Sequence, residues 1–429
     1  MQRENSRRRA CMRAAQALAL SCCTTAILYG TPARAQPLSE AGKAETGAPM
    51  DISMAPAPCP SDQHWDTAMG MCMDGNAPAK ARLTFQANQF AVYSDTSGPR
   101  GASRFTGPGY WMLTYENALT ASNTLSIGIM GTPEQVTVGE PGTPQLLQTE
   151  NIDNMHPHDN FLAIEIRDVV ALGDDQRVTF LFAPRGGAAI GPVPFMHRGS
   201  AEGNPDAPLG HGLQDGFHDV STVVGIEYET GPLSLAATAF SGREISAPFP
   251  MYRPDSYGLR VTYDLSDHLR LGASYGNALS SDDAGGWDHN QFFTGWLTTT
   301  HPIHTGSLKT SLVWGSERAA DGSVLSSALG EGVYQYGPNA LYGRAEVLEV
   351  TPEQLDLSLP GPAANPRWVG ALTAGYERTV LGRGDRRLIV GGSYTYDLIP
   401  ADFEPAYGSH PGGFKLYLRL KFESGVTFP

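Results

Sequence analysis

Long apolar segments are missing from this sequence once its N-terminal stretch is set aside. No later stretch reaches the roughly 18 consecutive apolar residues that a membrane-spanning helix requires. Charged side chains are few, at 17% of 429 residues, whereas glycine and proline are abundant, at 49 and 32. The length allows one large barrel or two to three soluble domains. If this chain crosses a membrane, it therefore crosses with strands.

Basic residues are also in short supply, with 30 Lys and Arg against 44 Asp and Glu and a formal net charge of −14. Residues 1–35 are predicted to be a secretory signal, because arginines precede an apolar run and Ala33-Arg34-Ala35 has the A-x-A form of a cleavage site. A twin-arginine start at Arg7-Arg8 and a lipoprotein box at Leu20-Ser21-Cys22-Cys23 are weaker alternatives. The signal holds six Arg and one Glu, a charge of +5, so its removal takes −14 to −19. Such an acidic chain attracts cations and is not expected to bind nucleic acid.

Cysteine is scarce, and only Cys59 and Cys72 lie beyond the signal. In an exported protein such a pair is most simply a disulfide. Both lie in residues 36–80, a Pro-, Ala- and Met-rich segment that we predict to be a flexible periplasmic arm. The arm also holds three potential ligands of copper or zinc, His64, Met71 and Met73. A disulfide knot and a metal site therefore stay open as alternatives here.

What the sequence has in abundance is alternation, and the last strand shows it best. Between Phe414 and Phe428, Phe, Leu and Val occupy most even-numbered positions, and polar residues such as Lys415 and Arg419 lie between them. Successive strand side chains point to opposite sides, so one face is apolar and the other polar. The segment exceeds the 9–11 residues that a tilted strand needs to cross a bilayer. It resembles the C-terminal signal of outer-membrane barrels, which implies the barrel-assembly machinery and outer-membrane lipid as partners, although Pro429 follows the aromatic.

Alternating segments recur from residue 82 onward with turn residues between them. The predicted strands are residues 82–94, 109–118, 123–130, 161–170, 176–184, 220–230, 232–242, 255–265, 268–277, 288–300, 306–316, 324–336, 340–350, 367–379, 386–397 and 413–428. They predict an all-β fold, a single transmembrane antiparallel β-barrel over residues 81–429 with about 16 strands, in a range of 12 to 16. An even count and alternating short and long connections are typical of bacterial outer-membrane barrels. We therefore expect the chain to lie in the bacterial outer membrane.

Two of the predicted outer loops, 131–160 and 185–218, are long and hold five of the eleven histidines. Histidine beside carboxylate suits a divalent cation, because Asp fixes the imidazole tautomer while the other nitrogen binds metal. We predict a copper or zinc site from His156, His158, Asp159, His197, His211, Asp215 and His218. No spacing among them matches a strong zinc signature. The alternative is a polar network that fastens the two loops together.

The same loops carry a family resemblance. The matching segments are His156-Pro157-His158-Asp159, Gly191-Pro192-Val193-Pro194-Phe195-Met196-His197-Arg198, Asn204-Pro205-Asp206-Ala207-Pro208-Leu209, His211, Gln214-Asp215, His218 and the arm piece from His64-Trp65-Asp66 to Met71-Cys72-Met73. From about Cys59 onward, the chain resembles a family of bacterial outer-membrane β-barrel proteins associated with copper and heavy-metal resistance. It departs from the family at Gly212, where a second histidine is expected beside His211. The resemblance implies a location and a metal context, and it supplies no transported substrate.

Three functions follow as hypotheses. Residues 185–218 join the fifth and sixth strands, where sixteen-stranded general porins carry the loop that narrows the pore, so the first is a porin-like barrel that passes or binds metal cations. The second is a structural or adhesive barrel without transport. The third, an outer-membrane hydrolase, has little support, because the sequence lacks a Gly-x-Ser-x-Gly elbow and Ser200 is an ordinary loop residue. We expect no enzyme, and the chain is too short for a plugged 22-stranded receptor.

Overall fold

The structure, a computed structural model, describes residues 63–66, 71–74 and 81–428, apart from residues 140–141, 149–157, 159, 244, 246–250, 282–286, 305, 359–364 and 384. No helix in this described part of the chain is long and apolar enough to cross a membrane. The predicted signal and most of the predicted arm lie outside the described residues.

A short hairpin lies within the predicted arm. Its strands are β1 (Gln63–Asp66) and β2 (Met71–Asp74), and they pair antiparallel. In this register His64 is opposite Met73, and Trp65 is opposite Cys72. The backbone therefore places the predicted arm residues on two adjacent strands. Cys59 lies outside the described residues, so the disulfide stays a prediction.

The remaining strands form one closed antiparallel sheet. They are β3 (Arg82–Thr96), β4 (Ser103–Thr106), β5 (Gly109–Thr120), β6 (Asn123–Gly131), β7 (Phe161–Gly173), β8 (Gln176–Gly186), β9 (Val220–Thr230), β10 (Leu233–Ser241), β11 (Ser256–Ser266), β12 (Leu269–Ser281), β13 (Trp287–Ile303), β14 (Gly306–Arg318), β15 (Val324–Tyr336), β16 (Asn339–Val350), β17 (Arg367–Arg383), β18 (Arg386–Leu398) and β19 (Gly412–Thr427). The last strand, β19, pairs with β3 along fifteen residues and closes the barrel.

The seventeen strands occupy sixteen positions around the barrel, because β4 and β5 share one position. Both pair with β3, β4 with its Val92–Asp95 end and β5 with its Arg82–Gln89 end. The break falls at Gly107 and Pro108, and proline cannot donate a ladder hydrogen bond. Every predicted strand is present, and the prediction of a single sixteen-stranded barrel is confirmed. Among the described residues, the alternation missed β4 in the barrel and the hairpin strands β1 and β2 in the predicted arm, and each of these is only four residues long and too short to show a period.

Two strands run four residues further than predicted, β12 to Ser281 and β17 to Arg383. In both cases the antiparallel pairing continues past the last clearly alternating residue. Backbone hydrogen bonds to a neighbouring strand do not depend on side-chain alternation. The pattern therefore locates these strands correctly and underestimates their length.

The barrel wall is polar inside and apolar outside. On β19, Leu418 is 51% exposed on the outer surface, whereas its neighbour Arg419 is 2% exposed inside. A water-soluble sheet has the opposite arrangement, with its apolar face in the core. Aromatic contacts occur near both ends of this outer face, at Tyr93–Phe414 and at Phe85–Phe422. An apolar band between aromatic girdles is the surface of a transmembrane barrel, and the predicted bacterial outer-membrane location is confirmed.

Connections at one end of the barrel are two-residue turns, and those at the other end are mostly longer. Two of the longer ones contain short helices: the first long loop (residues 132–160) has α1 (Glu134–Thr137), and the inward loop (residues 187–219) has a 3₁₀ turn at Phe195–His197 and α2 (His211–Gln214). Further short turns are Glu353–Leu355, Ala401–Phe403 and α3 (Glu404–Tyr407). The inward loop enters the barrel, where its side chains reach the inner face of the wall, for example from Ser200 to Ser311.

A small apolar core ties these loops to the barrel rim. Its buried members are Leu146, Leu147, Leu209, Leu348, Val350, Leu355, Val369, Ala371, Phe403 and Tyr407. They come from the first long loop, the inward loop, the segments after β16 and β18, and the walls of β16 and β17. Burial of these side chains at about 1.5–3 kcal/mol each gives the loops a defined packing that is independent of lipid.

We expect Leu418→Arg to destabilise the folded barrel by about 2–4 kcal/mol, because it places a charge near the middle of the lipid-facing band. Val426→Arg is the matched control on the same strand and is similarly exposed. It lies at the strand end, where the cost falls to about 0–1 kcal/mol. Denaturant titration of both variants refolded into lipid vesicles measures the difference. Equal losses at the two positions would contradict this placement of the membrane.

Candidate functional site

The inward loop crosses the barrel lumen and is anchored on several strands. Near its start, the backbone N–H of Ala189 donates to Thr238 Oγ1 at 2.9 Å, on β10. Near its far end, the N–H of Leu209 donates to Glu346 Oε2 at 2.6 Å, on β16. The other wall contacts through hydrogen bonds include Ser274, Ser311, Ser327 and Tyr417. The loop therefore has one fixed path from β10 to β19.

Glycine residues let the inward loop approach the wall closely. Ile190 packs over two wall glycines, and a Cβ on Gly258 or Gly276 would come within 2.6 or 2.3 Å of its side chain. The next residue, Gly191, has a φ of +81°, a region that favours glycine. A Cβ there would also lie 2.2 Å from the carbonyl oxygen of Gln214. The start of the loop is thus held directly against its end.

Ion pairs hold the middle of the inward loop against the barrel wall. Glu202 forms ion pairs with Lys421, with Arg419 at 3.3 Å and with Lys309 at 3.8 Å. Burial alone would raise the pKa of Glu202, but these three cations hold that pKa below its usual range. The loop therefore presents acid groups to a basic stretch of the wall.

Asp215, just after α2, connects the last part of the inward loop to the segment that follows the 3₁₀ turn. Its Oδ2 accepts from Arg198 Nη1 at 2.9 Å, and its Oδ1 lies 2.6 Å from His211 Nδ1, one helical turn earlier. Arg198 also donates to Glu331 Oε1 on β15, at 2.6 Å. Burial opposes the charge on Asp215, but His211 and Arg198 keep its pKa below the usual range. Asp215 is therefore an orienting acceptor for other side chains.

The first long loop contributes His158, which is buried. Its ring Nδ1 lies 2.9 Å from Glu134 Oε2, and its backbone N–H donates to the same oxygen at 3.1 Å. Glu134 lies in the first turn of α1 and is buried as well. One carboxylate thus fixes both the backbone and the ring orientation of His158.

His158 meets the inward loop at His218. The two Nε2 atoms are 3.4 Å apart, and His218 Nδ1 lies 2.9 Å from the carbonyl oxygen of Asp215. The His211 ring is next to this pair, with its centre 5.0 Å from that of His218. Burial, together with the neighbouring His211 and His158, lowers the pKa of His218 well below its ordinary value. Three predicted site histidines therefore form one cluster, here called the histidine cluster (His158, His211 and His218).

His197 lies apart from this cluster in its contacts. Its ring packs on Tyr110 with the centres 4.6 Å apart. Burial lowers the pKa of His197 to about 4, so the ring is neutral at neutral pH. Sequence composition does not separate the roles of His197 and His211, because both lie in the same loop.

Other predicted site residues fall outside what the structure describes. His156 and Asp159 are not among the described residues, and the hairpin residues His64, Met71 and Met73 are described only by their backbone. Within the described part of the chain, no group of three His, Cys, Asp or Glu side chains is already arranged to hold a metal ion. The metal ligand set therefore stays a prediction.

Two residues of the site escaped the sequence reasoning. Glu134 precedes His158 by 24 residues, and Arg198 contacts Glu331 across 133. Neither separation follows a helix or strand period. A buried carboxylate in a proline-flanked loop position carries no local signal that distinguishes it from surface acids.

Two partly open cavities are lined by the inward loop. One, of about 80 Å³, is lined by Glu134, His158 and His197. Another, also of about 80 Å³, is lined by Asp215, His197 and His218. The contact between His158 and His218 therefore lies where residues of the two cavities meet.

Comparisons with known proteins agree with this fold. Salmonella typhi OmpF, in its complex with daunomycin, is 10% identical, with a TM-score of 0.52, and the match covers 80% of this chain and 97% of that chain. A loop L8 deletion mutant of OmpT, an outer membrane protein of Vibrio cholerae, is 9% identical, with a TM-score of 0.50, covering 80% and 100%. Identities this low show the fold alone. No family model and no curated protein matches the sequence.

We expect Asp215→Ala to loosen the inward loop while the barrel stays folded. Removing one partner of a buried ion pair costs about 3–5 kcal/mol, because Arg198 would lose one of its two carboxylate acceptors and His211 would lose its own. Hydrogen exchange at the amides of residues 187–219 should accelerate about 100-fold or more. Asp402→Ala, which removes a part-exposed pair with Arg367, is the control and should cost about 0–1 kcal/mol. Unchanged exchange in the loop would contradict the anchoring role of Asp215.

Proposed function

We propose that this chain is a porin-like outer-membrane channel in which the inward loop narrows the lumen and the histidine cluster makes it selective for metal cations. The observation that carries this proposal is the 3.4 Å approach of His158, which lines one cavity, and His218, which lines the other. A solute that passed between the cavities at this contact would meet both rings. Selectivity filters commonly place such ligand groups at the narrowest part of a pore.

Barrel size supports the channel part of the proposal. Eight-stranded barrels are filled by their own side chains, whereas 16- to 18-stranded barrels leave an aqueous channel. Here the inward loop occupies part of that space, and cavities remain beside it. The formal net charge of −14 favours cations over anions at the entrance.

The alternative is a structural barrel without transport. The dense anchoring of the inward loop favours it, since Glu202, Asp206 and Arg198 all form ion pairs with the wall. A hydrolase has less support. The Ser200 hydroxyl lies 2.6 Å from Ser311 Oγ and donates to Glu331 Oε1 at 2.9 Å, so its hydrogen-bonding capacity serves the loop anchor.

Single-channel recording of the refolded protein in planar bilayers tests the channel proposal. We expect an open-channel current that micromolar Zn²⁺ or Cu²⁺ reduces, because a metal held by His158 and His218 obstructs the passage. The double variant His158→Ala/His218→Ala should conduct without this block. His410→Ala, an exposed histidine beside Tyr396, is the control and should keep it. A silent bilayer with folded barrel would instead support the structural alternative, and a current insensitive to metal would remove the metal part.

A cross-link tests whether conduction requires the loop to move. The hydroxyls of Ser200 and Ser311 are 2.6 Å apart, so Ser200→Cys/Ser311→Cys should form a disulfide on oxidation. We expect equal currents before and after reduction, because ions pass through the cavities beside a docked loop. The single variant Ser311→Cys carries the same native cysteines and controls for them. Current that appears only after reduction would mean that the loop has to leave the wall.

A further inference from the structure

The hydrogen bonds around the histidine cluster determine which ring nitrogens carry protons. A backbone carbonyl oxygen only accepts, so His218 Nδ1 must donate to the carbonyl of Asp215. An ionised carboxylate likewise only accepts, so His158 Nδ1 donates to Glu134. In a neutral imidazole the second nitrogen is then an acceptor with a lone pair. Both Nε2 atoms therefore direct lone pairs into the same small space.

Two facing lone pairs repel unless a positive centre lies between them. A shared proton is one such centre, but 3.4 Å is longer than the usual 2.7–3.2 Å hydrogen-bond distance from an N–H group. A metal ion is the other. Two nitrogens at 2.0–2.1 Å from a tetrahedral ion lie about 3.3–3.4 Å apart. The observed distance matches this spacing.

The third ring, His211, lies at a similar distance from His218. In a tetrahedral site the centres of two coordinated imidazole rings lie about 5 Å apart. The ring centres are 5.5 Å apart for His158 and His218, and 5.0 Å apart for His211 and His218. His211 Nδ1 faces Asp215, so its Nε2 is the nitrogen that would ligate. His211 would become the third ligand only after its ring moves, because no three such side chains in the described part of the chain are arranged to hold a metal as they stand.

The surrounding acceptors have the positions of an outer coordination shell. Metal-binding histidines almost always donate their other N–H to a carboxylate or a backbone carbonyl, which fixes the ring and raises its basicity. Here Glu134, Asp215 Oδ1 and Asp215 O lie at the three Nδ1 atoms. A loop-fastening polar network does not need all three acceptors on the same ring nitrogen.

We propose that His158, His211 and His218 form a three-histidine site for one borderline divalent cation of the Zn²⁺ class, with Glu134 and Asp215 orienting the ligands. This proposal deepens the proposed function and rests on it for a biological role. Imidazole ligands suit Zn²⁺, Cu²⁺ and Ni²⁺, whereas Mg²⁺ and Ca²⁺ take oxygen ligands and Cu(I) favours sulfur. His197 is excluded from the ligand set, and Asp215 orients ligands without itself binding the ion.

Titration with Co²⁺ tests the site, because tetrahedral Co²⁺ has a characteristic visible absorption. The refolded full barrel, in a His64→Ala/Met71→Ala/Met73→Ala background that removes the predicted arm ligands, should bind one Co²⁺ that Zn²⁺ displaces. Glu134→Gln should weaken binding about 10- to 100-fold through loss of ligand orientation. His158→Ala, His211→Ala and His218→Ala should each weaken it more, and His197→Ala should leave it unchanged.

The outcomes separate this site from the channel. A folded barrel that binds no Co²⁺, or binding that survives all three histidine variants, overturns the proposed site whatever the bilayer shows. Octahedral Co²⁺ spectra or an equal loss in His197→Ala would overturn the assigned ligand set. One tetrahedral Co²⁺ in a protein that carries no current would support the site and remove the proposed transport function.

Discussion

The structure depends on one constraint: backbone groups in hydrocarbon have no water to bond with. Each unpaired N–H or C=O there costs several kcal/mol, so a sheet that crosses a membrane must close on itself. In this chain β19 closes the sheet by pairing with β3 along its whole length. Closure then sets the position of every side chain. Residues of one parity face lipid, and those of the other face a lumen that sixteen strands make too wide for side chains alone to fill.

The inward loop supplies ion-pair partners for the charged residues that face this polar lumen. On the wall, Arg419 is buried and the Lys421 side chain is only 18% exposed, and charges removed from water are tolerated only when they are paired. Glu202 supplies the partner from the loop. The same logic applies to Arg198, which reaches Glu331 on the wall and Asp215 within the loop. The path of the loop is thus specified by charge and hydrogen bonding, and apolar packing contributes at Ile190 and around Leu209.

Sequence reasoning recovers the part of this structure that a period of two can encode. Leu418 and Arg419 differ in exposure because adjacent strand residues face opposite media. The alternation of apolar and polar residues in the sequence predicts that difference. The site is not encoded in this way. Glu134 and His158 come together only because the first long loop folds back on itself, and His158 and His218 are 60 positions apart. Loop contacts of this kind depend on the closed barrel, so composition pointed to the two loops whose histidines lie together and could not predict which of them make contact.

The arrangement also separates the stability of the site from that of the barrel. The histidine cluster joins two loops from different hairpins, while the strands hold each other through continuous ladders. Loops held by a few side chains open at lower free energy than a closed sheet unfolds. A ligand that binds only the docked arrangement stabilises it by mass action, about 2.7 kcal/mol at 100 times its dissociation constant. An ion bound between His158 and His218 would therefore stabilise loop docking and leave the stability of the barrel itself unchanged.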